Sequence, residues 1–96
     1  VEKNGFSVVR EYVGHGIGRN LHEDPSVANY KTPNRGVKLK KGMVLAIEPM
    51  VNMGGHKLKV LKDGWTAVTK DGLYAAHYEN TVVITDGEPE ILTLLP

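Results

Sequence analysis

From residue 37 onward this chain is built of short strand-forming runs cut apart by glycine turns, and that punctuation constrains its fold more than any other feature. Residues 37–39, 43–53, 58–61, 65–69, 75–85 and 91–94 are rich in β-branched, aromatic and long apolar side chains. Between them stand Lys41-Gly42, Gly54-Gly55 and Asp-Gly pairs at Asp63, Asp71 and Asp86. Such spacing predicts antiparallel strands joined by tight turns. Upstream, Val1-Glu2-Lys3-Asn4-Gly5 reads as the last turn of a helix closed by Asn-Gly, with the helix body missing. Residues 6–13 again favour a strand, which Gly14, Gly16 and Gly18 interrupt around His15 and Ile17. No amphipathic helix long enough to stand alone follows, and there is no internal repeat. A sheet of this size without a full helix leaves one face uncovered, so the chain reads as a piece of something longer.

At 96 residues the chain is one domain at most, with room for a modest core. Its formal charge is +1, and the one close basic cluster, Lys38, Lys40 and Lys41, precedes a glycine turn. Nothing in this pattern asks for nucleic acid or a membrane surface. With no cysteine, neither a disulfide framework nor a thiolate metal site is possible, and any metal must be held by histidine and carboxylate. The longest apolar stretch is a handful of residues and no signal peptide opens the chain, so a soluble, cytoplasmic protein is expected.

Two glutamates stand out. Glu48 and Glu79 each sit within an apolar run, residues 44–51 and 75–84, and neither run contains lysine or arginine. A carboxylate in such a place is costly unless something positive compensates it, and a metal ion is the simplest compensator. With a period of two, Val44, Ala46, Glu48 and Met50 share one face, as do His77, Glu79, Thr81 and Val83. A solvated sheet face explains many such carboxylates. Pro49 favours a site, because it removes a backbone donor and implies a bulge or edge where side chains are re-aimed.

His15 is either a hydrogen-bonded core residue or a ligand, and its flanking glycines leave access for a metal or substrate. His22 is followed by Glu23 and Asp24 in a turn or loop, not in the H-E-x-x-H spacing of zinc proteases. If the two histidines share a site, the intervening chain must turn back. Gly14-His15-Gly16-Ile17-Gly18 lacks the spacing of a dinucleotide loop, no phosphate loop is present, and no serine has a partner motif. Leu21 and Trp65 are simplest as core residues, with a pocket wall as the alternative.

Taken in order, Tyr12-Val13-Gly14-His15-Gly16-Ile17-Gly18-Arg19, His22-Glu23-Asp24-Pro25, Ala46-Ile47-Glu48-Pro49-Met50-Val51-Asn52, Asp63-Gly64-Trp65-Thr66-Ala67 and Tyr78-Glu79 resemble the type I methionine aminopeptidases. The resemblance covers almost the whole chain. It implies an α+β pita-bread fold, with residues 1–96 forming only the C-terminal half, mostly antiparallel strands whose covering helices are largely missing. It implies two divalent ions (Co, Mn, Fe or Zn), with His15, Glu48 and Glu79 as ligands and Glu79 bridging both. His22 would contact the scissile peptide and its tetrahedral intermediate, and Glu48 would carry the proton from the attacking water to the leaving amine. Leu21 and Trp65 would line an apolar pocket for the methionine side chain.

The implied partners are the N-terminal methionine of nascent polypeptides, the missing N-terminal half and the ribosome. Two aspartate ligands of the family have no counterpart here, so three of five expected protein ligands are present and the chain alone should have little activity. Where the family usually has Glu-His-Thr, this chain has Glu79-Asn80-Thr81, which implies altered hydrogen bonding around Glu79 without loss of the ligand. A proline-specific aminopeptidase of the same fold, or a non-catalytic relative used as a binding module, are the alternatives.

Overall fold

Strand-forming residues and glycine turns do produce an antiparallel protein, and the computed structural model describes residues 1–95 of it. The strands are β1 (Ser7–Val8), β2 (Gly14–Ile17), β3 (Glu23–Val27), β4 (Val44–Ile47), β5 (Met50–Asn52), β6 (Leu58–Val60), β7 (Ala67–Thr69), β8 (Ala75–His77), β9 (Asn80–Val83) and β10 (Glu90–Ile91). They form a five-stranded sheet in the order β10-β9-β4-β2-β3, a three-stranded sheet β1-β5-β8, and the hairpin β6-β7. Every pairing is antiparallel. Helix is confined, among the described residues, to a 3-10 turn over Glu2–Asn4, which closes on Gly5 at φ 86° as the opening residues predict. The result is an open, almost helix-free antiparallel arrangement, matching a pita-bread fold without its covering helices.

Several sequence expectations are corrected. The run 43–53 is broken at Glu48-Pro49 into β4 and β5, and the run 75–85 at Tyr78-Glu79 into β8 and β9. Pro49 has no N–H to give to a ladder, which is reason enough for a break there. Register nevertheless continues across it. Ile47 pairs with Asn80 and Met50 with His77, so Glu48 stands opposite Glu79, and the Tyr78 N–H donates to the Pro49 carbonyl at 3.2 Å. The two glutamates therefore lie at a junction where one two-stranded ladder passes from one sheet to the other.

The glycines at 14 and 16 do not end a strand either, since β2 runs through both and is paired on each side. A Cβ on Gly14 would meet the Ala46 carbonyl oxygen, and one on Gly16 would meet the Asp24 carbonyl oxygen. The bare strand face thus admits neighbouring backbone. Residues 23–25, expected in a turn or loop, form part of β3, whereas residues 37–39 belong to no strand.

The core is small: Val8, Val9, Leu45, Ala46 and Val82, together with Asn52. Asn52 is fully buried and its Nδ2 donates to the Gly55 carbonyl at 3.0 Å. Large apolar side chains remain at the surface, in keeping with an uncovered sheet. Leu21 and Trp65 are among them, 69% and 87% exposed, which overturns the reading of either as core. No helix of the described residues is long and apolar enough to cross a membrane.

Candidate metal centre

Three neighbouring strands bring the predicted ligands together. His15 lies on β2 and pairs with Ala46 of β4; Glu48 follows the end of β4, and Glu79 precedes the start of β9. Because β4 is hydrogen-bonded to both β2 and β9, side chains 33 and 31 positions apart in the chain reach one point. One ligand atom from each of His15, Glu48 and Glu79 lies within 4.8 Å of the other two. His15 Nε2 is 3.1 Å from Glu48 Oε2, with the two side chains 14% and 15% exposed.

Hydrogen bonding decides what this arrangement wants. His15 Nδ1 stands 3.0 Å from the Gly16 carbonyl oxygen, which can only accept, so the neutral ring carries its proton on Nδ1 and turns the Nε2 lone pair to Glu48. A lone pair and a carboxylate oxygen at hydrogen-bond distance repel unless a proton or a cation lies between them. Fixing one ring nitrogen on a carbonyl so that the other can ligate is the usual outer support of a metal-bound histidine. Donors about 2.0–2.2 Å from an ion stand about 3–4 Å apart, so small side-chain rotations suffice to close this group on a cation. One imidazole and two carboxylates, with no thiolate, suit a hard or borderline divalent ion.

His22 joins the same place. Its ring centroid is 4.2 Å from that of His15 with the planes tilted by 38°, so the chain does turn back between them. The turn is held by the Gly18 N–H on the Asn20 carbonyl at 3.1 Å and by the Asn20 N–H on Glu23 Oε2 at 2.9 Å. A register shift in the β2–β3 pair falls between His15 and Gly16. His15, His22, Asn20, Glu23, Asp24 and Ser26 line an open polar cavity of about 680 Å³. Leu21 and Trp65 are not part of that lining.

Trp65 owes its placement to Asp63, whose carboxylate accepts the Trp65 and Thr66 N–H groups and the Thr66 hydroxyl. These bonds, the Thr66 hydroxyl foremost, hold the Asp63 carboxyl below the ordinary carboxylate range. Asn80 turns away from the cluster: its Oδ1 accepts the Thr93 hydroxyl at 2.6 Å. The residue to which sequence reasoning assigned no role is His77, with Nε2 4.0 Å from Glu79 Oε2. Its signal was the two-residue spacing from Glu79 on an extended segment.

Similar sequences and structures are found among the methionine aminopeptidases. Against the methionine aminopeptidase of Clostridium perfringens the chain is 67% identical over 95 residues, covering 99% of itself and 38% of that protein. Methionine aminopeptidase 1 of Bacillus subtilis is 59% identical, again over 38% of its length. The crystal structure of the Thermotoga maritima methionine aminopeptidase superposes with a TM-score of 0.93 at 60% identity, covering 97% of this chain and 37% of that one. That of the Rickettsia prowazekii enzyme gives 0.91 at 46% identity. The chain thus spans well under half the length of the relatives it matches. The model of metallopeptidase family M24 matches residues 1–86, and with that match over most of its length the chain belongs to metallopeptidase family M24.

Proposed function

We propose that residues 1–96 act as the C-terminal half of a methionine aminopeptidase, supplying three of five protein ligands to a two-metal centre that removes the N-terminal methionine of nascent polypeptides. The observation that carries this reading is the convergence of His15, Glu48 and Glu79 with the His22 ring against His15. His15, Glu48 and Glu79 would hold the ions from this chain. Two divalent ions, of Co, Mn, Fe or Zn type, when bound supply a lowered water pKa and charge stabilisation at the scissile carbonyl.

The chain's own groups do the rest. Glu48 takes a proton from the attacking water and delivers it to the leaving amine, which balances the hydrolysis: water gives OH to the carbonyl carbon and H to nitrogen. His22, exposed at the cavity edge, donates to the carbonyl oxygen as negative charge develops there. His15, held through Nδ1, keeps its ring still and so would present Nε2 to an ion. Leu21 and Trp65, exposed in this chain, become the walls of an apolar pocket for the methionine side chain when the other half closes over them. A cytoplasmic setting at the ribosome, where nascent chains emerge, follows from that role.

The test exchanges this chain for the matched stretch of the Clostridium perfringens enzyme and assays methionine release from a Met-Ala peptide with manganese or cobalt. Activity is expected, lost in His15→Ala and Glu79→Ala, and reduced at least about a hundredfold in kcat in His22→Ala. A folded but inactive exchange, activity indifferent to His15→Ala, or preferential cleavage of Xaa-Pro substrates would overturn the proposal.

A further inference from the structure

We infer that Glu23 is the positioning residue of the site, holding the 18–22 turn in the one shape that sets the His22 ring against His15. This rests on the proposed catalytic role of His22. Among the described residues His22 makes no hydrogen bond of its own and its side chain is exposed, so nothing but the turn that carries it and the His15 ring fixes its position. That turn has one side-chain tie, from Asn20 N–H to Glu23 Oε2 at 2.9 Å. The other carboxylate oxygen, Oε1, lies against Gly18, where a Cβ would collide with it. Glu23 therefore ties the start of the turn to its middle: it occupies the space a side chain at 18 would need and accepts the backbone donor at 20.

Its own backbone is anchored, since Glu23 begins β3 and pairs with Gly16, one residue from His15. His22 is consequently suspended between an anchored strand and a clamped turn. Glu23 does not belong to the metal cluster itself, which contains only His15, Glu48 and Glu79 among the described residues. Its carboxylate is spent on Asn20 and on the space at Gly18. The same reading gives Gly18 a role at a position where φ is ordinary: a side chain there would push the Glu23 carboxylate aside.

What matters in this role is an acceptor oxygen of the right reach, which glutamine retains and alanine lacks. The experiment compares the chain carrying Glu23→Ala, Glu23→Gln or Gly18→Ala. Nuclear Overhauser contacts between the His15 and His22 rings, and hydrogen exchange at the Asn20 amide, are the readouts. Glu23→Ala is expected to lose the ring contact and Asn20 protection while His15 to Ala46 contacts across β2–β4 persist; Glu23→Gln keeps all of them. Gly18→Ala should reproduce Glu23→Ala, and the double variant should be no worse than either single one, because both remove the same clamp.

In the active exchange described above, Glu23→Ala should lower kcat about tenfold to a hundredfold with KM held within about twofold, and Glu23→Gln should restore it. Persistence of the ring contact in Glu23→Ala would overturn the inference. So would failure of glutamine to rescue, or loss of the β2–β4 contacts, which would make Glu23 a residue of the sheet. An inactive exchange would sink the proposed function alone, leaving the ring contact in the chain to decide the role of Glu23.

Discussion

Replacing Glu79 by glutamine should make the metal-free chain more stable. Glu48 and Glu79 face each other across the continuous ladder, with the clustered carboxylate oxygens no more than 4.8 Å apart. Two unit charges at that distance repel by about 0.9 kcal/mol in bulk water and about 3.5 kcal/mol at an effective dielectric of about 20. Glu48 is 15% exposed but Glu79 is 45% exposed, so solvent screening places the pair near the lower figure, about 1 kcal/mol. Glutamine keeps the volume and removes the charge. For a domain of this size the gain corresponds to about 4–8 °C in Tm. Thermal and urea melts in EDTA at low salt would measure it, and raising the salt should shrink the difference. Manganese should then stabilise the parent chain more than the variant, since the cation compensates two carboxylates in one and a single carboxylate in the other. A variant less stable than the parent in EDTA, or equal stabilisation of both by manganese, would refute the reasoning that these carboxylates are paired for a cation.

Three further outcomes follow from the geometry. Gly14→Ala should cost about 1–3 kcal/mol and lower the urea midpoint, because its Cβ meets the Ala46 carbonyl of β4 just beside the first β2–β4 pair while Gly14 itself is paired to Val27 of β3. The Asp63 carboxyl is lowered in the folded chain, so its contribution is fully present above the unfolded value near 3.8 and is lost as pH falls through the lower folded value. Amide protection at Trp65 and Thr66 should accordingly persist at pH 5 and fade only below about pH 4, measured by hydrogen exchange; fading already at pH 5 would contradict the assignment. Trp65→Ala should leave chain stability within about 0.5 kcal/mol, because the side chain is 87% exposed. In the active exchange the same substitution should lower kcat/KM for Met-Ala, and an unchanged value would remove Trp65 from the pocket.

The antiparallel class and the candidate ligand set were legible in the sequence for different physical reasons. Glycine turns between strand formers are local signals, and Asp63-Gly64 duly closes the β6–β7 hairpin, with Gly64 at φ 71°. His15, Glu48 and Glu79 were legible because charge within apolar runs needs an explanation, and ordered motifs supplied one. The breaks at Glu48-Pro49 and Tyr78-Glu79 were not, since strand propensity is continuous there and only the missing Pro49 N–H marks the junction. Nor was the use of Gly14 and Gly16. A gap in side chains looks the same in sequence whether a ligand or a neighbouring carbonyl fills it, and here carbonyls do. Leu21 and Trp65 were misread as core because apolar character does not say whether a side chain meets its own chain or something else.

The junction explains why two glutamates can stand where strand pattern calls for valine. On one side of it β4 and β9 belong to the five-stranded sheet; on the other β5 pairs with β8 and with β1. β2 faces β4 with His15 opposite Ala46, while β1 faces β5 and the Val9 N–H still reaches the Met50 carbonyl at 2.9 Å. Residues 10–14 lie between those two pairings, against only Ile47, Glu48 and Pro49 on the opposite strand, so the longer side has to leave the ladder. The sheet is therefore open beside Glu48, and a carboxylate there escapes the burial that Leu45 and Ala46 undergo, at 3% and 0% exposure. A ladder that keeps its register holds the two carboxylates opposite each other, and a break in its neighbours gives them room. Both conditions trace to Pro49 and to the unpaired stretch before Gly14, so restoring a regular ladder there would close the space that the site occupies.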